Sequence, residues 1–280
     1  MGRDNENPCT EGLTLLPTGK HHISFSELSD WVECSYRHKL KYVKKIIIPD
    51  RSHYLDFGIA VHAACEHYLR TREMDVNIAL DIIKVAWKEH GHAENDGEIA
   101  NLDDCLAQAE AILKEVPEWL DKTFPNWKVL APEHFLYERI GESKHAFKGY
   151  IDAVIEADYV VRGKTIRVIW LLDWKTTTWG WSRYKKQDKH KQRQLIYYKT
   201  FWSQETGTPL KQIKCGFVLL KRTAKDGHRC ELLPVSVGPV AQERSLKVVN
   251  NMLSAVNKGL ALKNKFNCEY CVYKDTEHCP

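Results

Sequence analysis

The sequence contains no apolar run approaching the roughly 18 residues that a membrane-spanning helix needs, which argues against an integral membrane protein. It opens Met1-Gly2-Arg3-Asp4-Asn5-Glu6, without a basic stretch followed by an apolar one. No export leader is therefore expected, and the chain reads as cytoplasmic. There is no internal repeat, which excludes a fibrous or solenoid design. There is no Gly-x-x-x-x-Gly-Lys loop, so the chain carries no motor of that type. Cysteine is plentiful at nine, but an odd number in a chain with no leader speaks against a disulfide framework.

What is present is globular in character. The chain has 280 residues, 43% apolar and 28% charged, which excludes wholesale disorder and a coiled coil. That length supports a sizeable core without staples. The net charge of +4 is only mildly basic, but its distribution is uneven. Arg183, Lys185, Lys186, Lys189, Lys191, Arg193 and Lys199 stand against the single acid Asp188, and Arg37, Lys39, Lys41, Lys44 and Lys45 form a second basic run.

Residues 1–22, with Pro8, Gly12, Pro17 and Gly19, read as a flexible arm. Ser24-Phe25-Ser26-Glu27 fits a capping box, and Leu28, Trp31, Val32, Tyr36, Leu40 and Val43 continue at helical spacing until Pro49. Further helices are expected over 55–70, 77–89 and 102–124, with Gly91 and Gly97 flanking a polar loop and Pro117 kinking or splitting the last helix. The pattern then turns to strands over 128–137, 147–161 and 164–172, the last two joined at Arg162-Gly163 as a hairpin. A helix over 189–202 follows, then strands over 213–220 and 229–237 around Asp226-Gly227. A final helix opens at Gly238-Pro239 and carries Leu246, Val249, Leu253, Val256 and Leu260. This order predicts one α/β domain over 23–280, with a helical part (23–127), a sheet core (128–237) and a C-terminal helix with a cysteine-bearing tail (238–280).

The strongest chemical signal is Gly149-Tyr150-Ile151-Asp152, followed after twenty-one residues by Asp173-Trp174-Lys175. Asp173 and Lys175 are two apart on an expected strand and so share a face. Asp152 falls on the partner strand, where it can meet Asp173. Two adjoining carboxylates repel unless a cation joins them. Mg²⁺ or Mn²⁺, which take oxygen ligands and keep positions for water and phosphate, suit such a pair. Lys175 beside them can hold an attacking water or neutralise charge building on phosphorus, an arrangement for phosphodiester hydrolysis. Asp173 follows the apolar run Val168-Ile169-Trp170-Leu171-Leu172, where a casual acid would be costly.

Gly-x-Ile-Asp, then Asp-x-Lys-Thr, then Gln194-Leu195-Ile196-Tyr197-Tyr198 resembles the RecB-type branch of the PD-(D/E)XK nucleases. The resemblance implies a restriction-endonuclease-like mixed sheet core flanked by helices, with an N-terminal helical subdomain and a C-terminal cysteine cluster. It implies Asp152, Asp173 and Lys175 as catalytic residues, with Gln194 and Tyr198 on one helix face beside them and the glutamine positioning the strand or the lysine. Gly58-Ile59-Ala60-Val61-His62 matches the family's Gly-x-x-x-His, whose histidine joins the two aspartates as a metal ligand. Glu133 matches the glutamate on the preceding strand, with Glu138 as the alternative.

Cys268, Cys271 and Cys279 crowd the last thirteen residues and read as soft metal ligands. Cys34 is the natural fourth. Its setting, Ser26-x-Leu28-x-x-Trp31-x-x-Cys34-Ser35, resembles the opening of RecB-type nucleases that hold a [4Fe–4S] cluster, such as the AddB helicase-nuclease and CRISPR-associated single-strand exonucleases. Two departures are Ser35 in place of the usual proline and the long gap from Cys271 to Cys279. Zn²⁺ is the alternative occupant, with His278 able to exchange for one thiolate. Cys65, Cys105, Cys215 and Cys230 read as core thiols, and Cys9 as idle.

For nucleic acid, the candidates are Trp179, Trp181, Tyr184, Lys185, Lys186, Lys191 and Arg193 just after Lys175, with Arg37 on the first helix. Cations pair with phosphates and rings stack on unpaired bases. The expected function is a Mg²⁺- or Mn²⁺-dependent DNA exonuclease on single strands or DNA ends, in recombination, repair or phage DNA metabolism. The alternative is a DNA-binding subunit of a recombination or CRISPR-adaptation complex whose cutting needs a partner. A zinc-ribbon-like interaction protein is the more distant third.

Overall fold

The computed structural model describes residues 10–48, 52–91 and 101–280. Residues 1–9 of the expected arm, with Pro8 and Cys9, and Pro49 and Gly97 lie outside the described residues. The chain divides into two compact units that interleave along the sequence: residues 51–134 with 150–237, and residues 1–50 with 135–149 and 238–280. Residues of the expected helical part, 23–127, thus fall in both units.

The first of these units is built on a five-stranded sheet in the order β2-β5-β6-β7-β8. Its strands are β2 (Lys128–Ala131), β5 (Ala153–Val161), β6 (Lys164–Thr177), β7 (Ile213–Lys221) and β8 (Cys230–Val235). β5 and β6 form the expected hairpin, with Val161 opposite Lys164. Arg162 and Gly163 turn it with φ of 48° and 75°, the double positive φ that matches strand twist. β6 and β7 run parallel, so the chain must cross over between them. α6 (Arg183–Gln187) and α7 (Lys189–Thr206) make that crossover.

Three helices complete this unit: α3 (His53–Thr71), α4 (Val76–His90) and α5 (Leu102–Thr123). Their apolar faces join one core with Val168, Trp170, Leu172 and Trp174 of β6. Because side chains alternate along a strand, Asp173 and Lys175 point away from that core. Helix ends follow local chemistry. Asp75 accepts the N–H of Asn77 at 3.0 Å, Asn101 accepts that of Asp104 at 2.9 Å, and α4 closes on Gly91 at φ 61°. Pro117 does not split α5, which is continuous to Thr123; a proline removes one ladder bond, and Val116 and Leu120 on either side are buried.

The other unit has a three-stranded sheet in the order β1-β4-β3, from His22–Ser24, Ala146–Ile151 and His134–Arg139. Around it stand α1 (Phe25–Glu33), α2 (Ser35–His38), a π-turn (Lys39–Val43) and α8 (Pro239–Asn257). Ser24 caps α1 by accepting the Glu27 N–H at 3.2 Å. The glutamate does not return the bond as a capping box would; its carboxylate is buried against His38 Nε2 at 3.0 Å. The expected single helix to Val43 is broken at Cys34, whose φ and ψ are extended. Within 10–22, Leu16 and Thr18 are buried. Leu260 lies beyond the end of α8 and is exposed. Among the described residues no helix is long and apolar enough to cross a membrane.

Two expected strands are each divided in two. The stretch 128–137 breaks at Pro132-Glu133, where proline offers no N–H to a ladder, and its halves enter different sheets. The stretch 147–161 breaks at Asp152, again between sheets. β6 runs five residues further than expected, to Thr177, because the parallel ladder with β7 continues to Lys221.

Candidate active site

The site is built at one end of β5 and β6. The register sets Ala153 opposite Leu172, so Asp152, at the bend before β5, comes opposite Asp173. The Asp152 carboxylate accepts the backbone N–H of Trp174 at 2.8 Å. Asp173 is almost wholly buried, and its two oxygens have different partners. Lys175 Nζ stands 2.5 Å from Oδ2, and Gln194 Nε2 donates to Oδ1 at 2.7 Å. Gln194 Nε2 also reaches the Tyr198 hydroxyl at 3.0 Å, one turn along α7. His62 on α3 brings Nδ1 to 3.6 Å from Asp152 Oδ2. One turn earlier on α3, Gly58 allows close approach to β6, since a Cβ there would lie 3.4 Å from Thr176 Oγ1.

The electrostatics follow from burial and from the paired acids. Burial pushes the Asp173 carboxyl up to about 6, Lys175 opposes this, and Asp152 adds to it. Lys175 is held charged: burial works against its ammonium, but Asp173 and then Asp152 outweigh that and raise its pKa. His62 is lowered to about 4 by burial and then by Lys175, so it is neutral at pH 7 and keeps a nitrogen lone pair. Burial, followed by Asp173 and Asp152, lifts the Tyr198 phenol well above its usual value, and Glu133 adds to the same field. Glu133 sits in the turn after β2, in the same unit as the aspartates, whereas Glu138 lies on β3 in the other unit.

The donor chemistry fits a hard divalent ion. Two carboxylates, one disfavoured from ionising by burial, gain from a cation, and a neutral imidazole stands beside them. Lys175 supplies positive charge at that place, and its ammonium takes up one oxygen of Asp173. Among the described residues no three His, Cys, Asp or Glu side chains are gathered into a group that could hold a metal ion.

A family model of the PD-(D/E)XK nuclease superfamily matches residues 22–279. The chain belongs to that superfamily. Enzymes of the PD-(D/E)XK superfamily generally use divalent ions such as Mg²⁺ or Mn²⁺, and membership implies DNA as substrate. Among solved structures, the fold is similar to that of a protein from Eubacterium rectale titled "Putative exonuclease", with 16% identity and a TM-score of 0.53. The match covers 97% of this chain and 92% of that one, and at such identity it shows the fold alone. No match was found among curated proteins.

The other expected residues divide. Trp179 is 71% exposed and Tyr184 88%, both open to solvent, whereas Trp181 is buried with its ring 5.0 Å from that of Phe217. Lys185 lies over the Trp181 ring at 5.1 Å, and Lys186 is paired with Glu231 at 2.5 Å. Lys191 is half-buried, and Arg193 Nη1 is 3.2 Å from His190 Nδ1. Arg37 is held by Asp30 at 2.8 Å and Glu33 at 2.6 Å.

Cys34, Cys268, Cys271 and Cys279 line a single cavity of about 270 Å³, together with Tyr36, Arg37 and Tyr273. All four are half-buried, whereas Cys65, Cys105, Cys215 and Cys230 are buried. Sequence reasoning missed Trp174, whose indole is core but whose backbone N–H holds Asp152. A backbone donor leaves no mark in the residue type; only the strand register could have exposed it.

Proposed function

We propose that this nuclease is a divalent-metal-dependent deoxyribonuclease that trims single-stranded DNA or DNA ends. The observation that carries the reading is the meeting of Asp152 and Asp173 at one end of β5 and β6 with Lys175 on the latter. Asp152 and Asp173, with His62 beside them, would hold Mg²⁺ or Mn²⁺, and Glu133 supports the same field. A divalent ion held there would supply Lewis-acid stabilisation of charge on the phosphoryl oxygens. Lys175 orients the attacking water and offsets charge on the non-bridging oxygens. Gln194 fixes the direction of the Asp173 carboxylate, and Tyr198 fixes Gln194. Trp179 and Tyr184 offer open ring faces to unpaired bases, which supports a single-strand preference. Trp181 supports the fold instead, through Phe217.

A second site is proposed at the cavity of the four cysteines, a [4Fe–4S] cluster with structural duty. Their convergence on one cavity supports it, although Cys34 is more than two hundred residues from the others. A zinc ion with sulfur at 2.3 Å needs its thiolates within about 4 Å of each other. Zn²⁺ is the alternative occupant of the same four thiolates, and elemental analysis for iron and zinc separates the two.

The test is incubation with 5′- and 3′-labelled single and double strands, with and without Mn²⁺. Metal-dependent shortening of the labelled strand is expected, and its loss in Asp173→Ala. Binding without degradation by the intact chain would instead favour an enzyme that waits for a recombination or adaptation partner.

A further inference from the structure

After α8 the chain runs to Pro280 with one 3₁₀ turn, Lys265–Asn267, yet it is firmly attached. Asn264 and Asn267 both donate through Nδ2 to the Glu33 carbonyl at 2.8 Å. The Leu262 N–H donates to Ser35 Oγ at 2.8 Å, and the Leu262 carbonyl accepts the N–H of Tyr36 at 3.1 Å. The Tyr36 hydroxyl donates to the His278 carbonyl at 3.2 Å, and that of Tyr273 to the Ile46 carbonyl at 2.5 Å. The Tyr273 ring is buried beside these polar anchors.

Two rings take no part in it. Phe266 is 98% exposed and Tyr270 89%, the highest values among the large apolar side chains described. Burying a phenylalanine is stabilising, so a pinned segment that leaves one in water forgoes a stabilisation open to it. Lys263 and Lys265 are exposed on the same stretch, the former also lying over the Tyr36 ring at 5.2 Å. Rings with neighbouring cations match a nucleic-acid strand, whose bases offer faces and whose phosphates offer charge. A protein-docking patch would be drier. Here Asn267, Cys268 and Glu269 separate the rings and lysines flank them, and lysine is depleted from the cores of protein interfaces.

We infer that Phe266 and Tyr270, with Lys263 and Lys265, form a base-stacking platform for single-stranded DNA on the cysteine-bearing tail. It is additional to the rings after β6. The inference rests on the reading that this chain acts on DNA, but it concerns binding and not cutting.

The test is fluorescence anisotropy of a labelled single strand and of its duplex, with no divalent metal added, so that no strand is cut. Phe266→Ala/Tyr270→Ala is expected to weaken single-strand binding roughly 5-fold or more, at 1–3 kcal/mol per stacked base. Duplex binding should change less than that. Phe266→Trp/Tyr270→Trp should restore affinity, which a purely structural role would not allow. Unchanged single-strand affinity in the double alanine variant overturns the inference, as does an equal loss for both substrates. A change in oligomeric state on sedimentation of that variant overturns it in favour of a second copy of the chain. An intact chain that binds no DNA overturns both this inference and the proposed function, whereas a binding intact chain with an indifferent variant overturns this inference alone.

Discussion

The unit that carries the aspartates and the unit that carries the clustered cysteines hold their chemistry by opposite means. In the first, each polar side chain is set by regular structure: Asp152 by the β5–β6 register, Gln194 and Tyr198 by one turn of α7, and His62 by α3 next to a glycine. The charges there partly offset one another, with Lys175 at 2.5 Å from Asp173. In the second, the thiols sit at a helix break and in an irregular tail, and they face a cavity. A site whose members neutralise each other can stand preformed. The soft ligands of the cysteine site are held instead by backbone contacts, the Asn264 N–H donating to Cys34 Sγ at 3.4 Å and Cys268 Sγ donating to the Asn264 carbonyl at 3.6 Å.

That contrast predicts its largest effect in the aspartate site. Asp173→Ala, Asp152→Ala and Lys175→Ala should each lower cleavage by about 10³-fold, comparable with removing a preorganised transition-state contact, while near-UV circular dichroism stays close to that of the parent. Activity within tenfold of the parent in any of them would break the assignment. A sharper variant is Lys175→Met, which removes the internal cation. It should make thermal stability depend on added Mg²⁺ more strongly than in the parent, because the two acids are then left to the metal alone.

In the cysteine unit the effect should fall on composition and stability. On the proposed cluster, Cys268→Ser or Cys34→Ser is expected to lower the iron content measured by elemental analysis and to depress the melting temperature. Bound metal that binds only the folded form contributes folding free energy. Alkylation of the native, metal-stripped chain should label Cys34, Cys268, Cys271 and Cys279 before the others. Cys65, Cys105, Cys215 and Cys230 are buried, and burial holds their thiols in the protonated, unreactive form. Peptide mass spectrometry reads the order, and early labelling of Cys215 would contradict it.

The aspartates and Lys175 were legible because strand period two and a conspicuous acid after an apolar run both survive in the sequence. The breaks were not. The stretch 147–161 has strand composition throughout, and nothing in its residue types says that Asp152 is where one sheet ends and another begins. The first helix read through Cys34 because helical spacing continues on both sides of it. Arg37 looked like a phosphate contact because its acids, Glu33 and Asp30, lie four and seven residues back, where a charge count along the basic run misses them. Trp179 and Trp181 are chemically alike and two apart; only the position of Phe217, from a distant strand, separates an exposed ring from a packed one. Such distinctions arise from tertiary neighbours.

The smallest expected effect is a pH response in the cysteine-bearing unit. His22 on β1 is lowered to about 4 from the ordinary 6.5, first by burial, then by Lys148 and Lys20. Between those two values the unfolded chain takes up a proton that the folded chain refuses, so stability falls as pH drops. The stabilisation is whole above about 6.5 and gone below about 4. Asp173, raised to about 6, has the opposite sign, since there the folded chain holds the proton more tightly. His62, also lowered to about 4, adds to the His22 loss, so the intact protein sums opposing contributions and the difference between parent and variant isolates that of His22. In His22→Gln, melting temperature should lose less on acidification than in the parent, by roughly 2–4 °C across that window, because His22 is only half-buried. Parallel melting curves for the two proteins would show that the imidazole is already solvated and that its two lysines set nothing.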